Sequence, residues 1–148
     1  MDMPRSWLIL PTLFALAPIV PATADVVVVV GAQTGIDRLT QDEVINIFLG
    51  RYRVLPTGLA AIPVDQPAAS AIKAEFYRKL TNKDLAEINA YWARLYFSGK
   101  TSPPLQAGSA NEALRIVAAT PGAIGYVERA QVDARVSIVL EFPAETTP

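Results

Sequence analysis

Five valines in a row, Val26 to Val30, closed by Gly31, open the patterned part of the chain. A β-branched run without polar alternation predicts a strand buried on both faces, as in a parallel sheet of an α/β protein. Thr40-Gln41-Asp42-Glu43 then has capping-box spacing, and Val44, Ile45, Phe48 and Leu49 follow on one helical face up to Gly50, which is placed to end the helix in a left-handed conformation. Ala60 to Asp65 reads as a short strand whose ladder is limited by Pro63. Pro67 suits the first turn of a second helix, with Ile72, Phe76 and Leu80 recurring every four residues. A third helix is predicted from Thr81 or Asn82, where Thr81 and Asp84 have capping spacing, through Leu85, Ile88, Trp92 and Leu95 to Gly99. Lys100 to Gly108, with Pro103-Pro104, reads as a loop. Ser109 and Glu112 then cap a helix carrying Leu114 and Val117, which Pro121-Gly122 stops. Strands follow at Ala123 to Val127 and Val136 to Leu140, before a tail rich in Pro, Thr and Glu. The sum is a single α/β domain over 25–148 with a mainly parallel sheet flanked by helices.

The stretch before the valines changes the compartment. Arg5, an apolar run from Trp7 to Val20 and the A-x-A site Ala22-Thr23-Ala24 form a secretory signal over residues 1–24, cleaved near Ala24. The apolar run is short for a membrane span and is broken by Pro11 and Pro18. A soluble periplasmic protein is the expectation.

Composition removes several chemistries. With no cysteine there is no disulfide, thiolate metal site or cysteine nucleophile, and with no histidine the commonest general base and metal ligand is missing. Catalysis, a metal and a cofactor are therefore not expected. Thirteen basic residues against fourteen acidic ones give a net charge of −1, without the basic excess of a nucleic-acid binder.

Three segments in fixed order carry a family resemblance: Ile47-Phe48-Leu49-Gly50-Arg51; Tyr91-Trp92 followed by Phe97-Ser98-Gly99-Lys100; and Pro121-Gly122-Ala123-Ile124-Gly125-Tyr126-Val127. With Pro63-Val64-Asp65-Gln66, Glu75-Phe76-Tyr77 and Pro103-Pro104 between them, the chain resembles the phosphate-binding proteins of ABC transporters, and most closely their short stand-alone relatives. The resemblance spans nearly all of Asp25 to Leu140 and implies one lobe of a periplasmic binding protein. In the full-length family two such lobes hinge around a ligand held at helix N-termini, so one lobe leaves an open surface, or a pairing of two copies into a homodimer that rebuilds a cleft.

The same resemblance locates a binding loop, where the full-length family carries an Arg and an Asp and then a Gly-Ser-Gly-Thr turn. Here the stretch is Asp65-Gln66-Pro67-Ala68-Ala69-Ser70-Ala71-Ile72, and Ser70 alone matches. The bidentate guanidinium is lost and Asp65 would face an anion. The candidate ligand-binding set is Asp65, Gln66, Ala69, Ser70 and Ala71, joined by Thr34 in the Gly31-Ala32-Gln33-Thr34-Gly35 loop, whose spacing fits no nucleotide fingerprint. Asp65 and Gln66 would alternatively cap the turn after the strand, and Ser70 would satisfy first-turn amides. Arg51, Arg53 and Lys100 lie just past helix ends, where cations suit the dipole or an anion. Tyr91, Trp92, Tyr96 and Phe97 point first to core packing and otherwise to a partner patch.

Two functions remain open. One is a solute-binding protein taking phosphate or another small ligand, with Asp65 and Gln66 open to a cation, sugar or amine instead, and presenting it to a transporter or sensor. The other is a ligand-free interaction module docking on a porin, transporter or sensor kinase; the degraded loop leans towards it.

Overall fold

The computed structural model describes residues 11–12, 14–16 and 25–144. Apart from those five positions the predicted signal, Met1 to Ala24, lies outside the described residues, as do the last four of the tail. The elements are β1 (Val26–Gly31), α1 (Gln41–Phe48), β2 (Ile62–Asp65), α2 (Ala71–Thr81), α3 (Leu85–Tyr96), β3 (Leu105–Gln106), α4 (Ala110–Ala119), β4 (Ala123–Glu128), a single 3-10 turn at Arg129–Gln131, and β5 (Val136–Glu141). The strands make one sheet in the order β3-β2-β4-β1-β5.

Strand direction corrects one inference. β2 runs parallel to β3 and β4, whereas β1 is antiparallel to both β4 and β5. Four strands therefore point the same way, and β1, whose valine run suggested a parallel sheet, is the reversed one. The run reports burial on two faces, which the helices impose whatever the direction of the neighbours. Val26, Val28 and Val30 face a core built with α1, α2 and α3, while Val27 and Val29 face a second core under α4. The alternation along one strand thus sorts two hydrophobic layers. Each fully buried valine contributes roughly 1.5–3 kcal/mol relative to exposure.

Neighbouring strands repeat the division. Ile124 and Tyr126 join the first core, and Ala123 and Val127 the second. Between them Gly125 lets α4 approach: a Cβ there would stand 2.8 Å from Val117 Cγ2. Gly122, at φ +84°, turns the chain into β4 where a Cβ would lie 2.0 Å from the Ala60 carbonyl oxygen. Pro63 is accommodated because β2 pairs with β4 at Ile62 and Pro63, and with β3 only at Val64 and Asp65.

Three local expectations shift. Pro67 sits in a turn closed by the Ser70 amide on its carbonyl, and α2 starts four residues later. α3 is capped by Asp84, whose carboxylate accepts from the Glu87 amide, while the Thr81 hydroxyl donates to the Tyr77 carbonyl inside α2. The predicted Pro103-Pro104 loop contains the two-residue β3.

Candidate functional site

β2 delivers Asp65 to the end of the sheet beside Tyr126 of β4, and α2 brings Lys73 and Tyr77, one turn apart, over the same spot. Asp65 Oδ1 accepts a hydrogen bond from the Tyr126 hydroxyl and another from the Gln66 amide at 3.1 Å. Asp65 Oδ2 accepts from the Tyr77 hydroxyl at 2.9 Å and is paired with Lys73 Nζ at 3.4 Å. The Gln66 side chain donates to the Tyr126 carbonyl at 2.8 Å, and the Ser70 hydroxyl donates to Gln66 Oε1 at 3.3 Å. Asp65, Gln66 and Lys73 are all buried.

The cluster is therefore closed. Among the described residues no buried side-chain nitrogen or oxygen lacks a partner. One carboxylate and one ammonium cancel, and four donors of the chain itself fill both carboxylate oxygens. An arriving anion would meet Asp65 at close range and find Lys73 engaged, a repulsion that low polarity magnifies. The surroundings are aromatic: Phe76 stacks on Tyr126 with centroids 3.8 Å apart and meets Phe48 edge-on at 4.9 Å.

Burial, and then the Asp65 charge, push the Tyr77 and Tyr126 hydroxyls well above the usual tyrosine range. Below about pH 10 both stay protonated whether folded or unfolded, and their stabilising contribution is complete. Above it the unfolded chain releases protons that the folded chain keeps, so stability should fall by about 1.4 kcal/mol per pH unit for each tyrosine. Urea midpoints between about pH 10 and 11.5 should show that slope. In Tyr77→Phe and Tyr126→Phe it should shrink; an unchanged slope in both would contradict buried, proton-holding hydroxyls.

The predicted site residues divide. Asp65, Gln66 and Ser70 come together, but Ser70 makes no side-chain cap on α2 and turns to Gln66 instead. Ala69 and Ala71 are exposed and flank the uncapped first turn, so only backbone donors stand there. Thr34 is excluded from the group. Because β1 is reversed, its last residue, Gly31, lies at the opposite end of the sheet from Asp65, and the Thr34 hydroxyl donates to the Gly31 carbonyl at 2.6 Å. Lys73, Tyr77 and Tyr126 were not anticipated. A lysine and a tyrosine four residues apart within the buried stripe Ile72, Phe76, Leu80 were the available signal.

No three acidic side chains converge as a metal site would require among the described residues, and Asp65 is the one carboxylate of the cluster. No helix among the described residues is long and apolar enough to cross a membrane.

No protein-family model matches the chain, and no curated protein matches it. Solved structures do. The chain superposes on a structure described as a phosphate ABC transporter substrate-binding protein from Clostridium perfringens with bound phosphate, at TM-score 0.63 and 16% identity, covering 78% of this chain and 44% of that one. An ABC-type phosphate transport receptor from Vibrio cholerae gives TM-score 0.62 and 15% identity, covering 78% and 45%. PstS from Borrelia burgdorferi gives 0.54 and 12%, covering 84% and 49%. The chain thus spans less than half the length of these proteins and has the fold of one periplasmic-binding-protein-like lobe. The first of these structures holds bound phosphate.

Proposed function

We propose that this chain is an exported lobe of the phosphate-transport substrate-binding type. It works in the periplasm by docking on a membrane partner such as a porin, transporter or sensor, and not by enclosing phosphate. The observation that carries this is the Asp65 carboxylate, held by Tyr77, Tyr126, Lys73 and the Gln66 amide where the resemblance locates a ligand-binding loop. The signal pattern of residues 1–24 supports export. Binding without catalysis fits the solute-binding fold and a sequence without histidine or cysteine.

A second reading, capture of phosphate or another small anion, draws on the uncapped first turn of α2, whose amides and positive dipole end favour negative charge. Thermal melts in phosphate, sulfate and chloride at matched ionic strength separate the two. A specific ligand at about 100 times its dissociation constant adds roughly 2.7 kcal/mol. Docking predicts equal melting temperatures in the three salts. A rise of several degrees in phosphate alone would establish anion capture instead.

A further inference from the structure

Within residues 25–144 the apolar side chains left most open gather at one corner. Tyr96 is 75% and Phe97 89% exposed at the end of α3, and Tyr52, Val54 and Leu105 are also exposed. The segments carrying them are fastened together. The Tyr91 hydroxyl donates to the Leu49 carbonyl at 2.6 Å, and the Thr101 hydroxyl to the Gly50 carbonyl at 3.2 Å. Gly50, Tyr52, Arg53, Thr101, Pro103 and Leu105 line one cleft of about 460 Å³.

The charge of this corner departs from that of the chain. Residues 44–64 and 88–111 contain no Asp or Glu, yet carry Arg51, Arg53, Arg94 and Lys100, in a protein whose net charge is −1. No ion pair joins any of the four to an acidic side chain among the described residues. Glu87, the acid beside Arg94 in the neighbouring cleft, is held by Lys83 at 3.5 Å.

We infer that this corner seats the protein on an anionic membrane surface, with Tyr96 and Phe97 entering the headgroup layer and Arg51, Arg53, Arg94 and Lys100 meeting lipid phosphates. Aromatic rings favour the interface between water and acyl chains, and each nearby cation adds attraction to an anionic leaflet. Phe97 caps α3 just before the turn at Gly99, φ +64°, and projects from the surface. A projecting ring with Arg94 and Lys100 each three residues away along the chain suits a soft, deformable partner better than the walled pocket of a rigid one. The contact proposed is peripheral, made by side chains at the surface of the folded domain. This goes beyond the docking reading and does not rest on the Asp65 cluster, so either can fail alone.

The test is co-sedimentation of the full chain with phosphatidylglycerol vesicles and with phosphatidylcholine vesicles. Tyr96→Ser with Phe97→Ser, and Arg94→Gln with Lys100→Gln, are run alongside, so that any pull of residues 1–24 is common to all. The variants alter exposed positions, and circular dichroism melts check that they fold. Expected is selective binding to phosphatidylglycerol, weakened roughly tenfold or more by either double variant and largely released between about 0.1 and 0.5 M salt. Absence of binding, or equal binding by wild type and both variants, would overturn the inference. So would binding to polyglutamate without binding to vesicles, which would assign the corner to an acidic polypeptide.

Discussion

Replacing Asp65 by alanine should lower the unfolding free energy by about 3–5 kcal/mol, because it strands a buried lysine without its counter-charge. It would also deprive the Tyr77 and Tyr126 hydroxyls of their acceptor. Domains of this kind hold only about 5–15 kcal/mol in total, so such a loss brings the fold close to failure. Asp65→Asn keeps one acceptor oxygen and should lose less. The cause can be isolated by adding Lys73→Met to the alanine variant. Removing the stranded ammonium should restore part of the stability, making the double variant more stable than the sum of the single losses predicts. Urea unfolding of the parent, the two single variants and the double variant measures this. A loss below about 1 kcal/mol for Asp65→Ala would mean that the carboxylate is not engaged as described.

Phe76→Ala should cost a similar 3–5 kcal/mol, the usual toll for truncating a core aromatic. Phe76 is fully buried on α2 and touches Tyr126, Phe48, Tyr77 and Phe142 through its ring. It therefore joins the hydrophobic layer to the polar cluster, since the tyrosines it packs against are those that hold Asp65. The cavity should loosen both hydroxyls, so Phe76→Ala should also let Tyr126 ionise at lower pH than in the parent. Phe76→Leu, which refills most of the space, should recover much of the loss. Urea midpoints and the absorbance change on tyrosine ionisation report the two effects. A stability loss with no change in tyrosine ionisation would separate the aromatic layer from the cluster.

Local features were legible because a few adjacent residues decide them. The Thr40 and Glu43 capping box closes as spaced, with the Glu43 amide 3.1 Å from the Thr40 hydroxyl and the return bond at 2.7 Å. Gly50 takes its left-handed φ of +74°, and Ser109 caps α4 through the Glu112 amide. What could not be read depends on distant partners. The Val26 to Val30 run specifies burial on two faces but not whether its neighbours run with it or against it. α3 has a clear apolar stripe, yet Ile88 is its one buried residue, Trp92 and Leu95 are half-buried, and Tyr96 and Phe97 are exposed. Periodicity names the face a helix offers; it does not say how many neighbours cover that face.

The candidate site shows the same division. The absence of the arginine and the glycines was visible in Asp65 to Ile72, and with it the argument against phosphate. The occupant was not visible, because the partners of Asp65 lie 8, 12 and 61 positions along the chain at Lys73, Tyr77 and Tyr126. Thr34 lies apart for a topological reason: β1 runs against its neighbours, so the loop after it leaves the sheet at the end away from Asp65.

The claim that the chain's own donors fill the Asp65 position is tested most directly by following the amide signals of residues 65–73 by nuclear magnetic resonance while phosphate is titrated against chloride at constant ionic strength. The account predicts no saturable change confined to that segment. Saturable shifts at Gln66, Ser70, Ala71 and Ile72 with phosphate alone would contradict it and restore this end of α2 as an anion site.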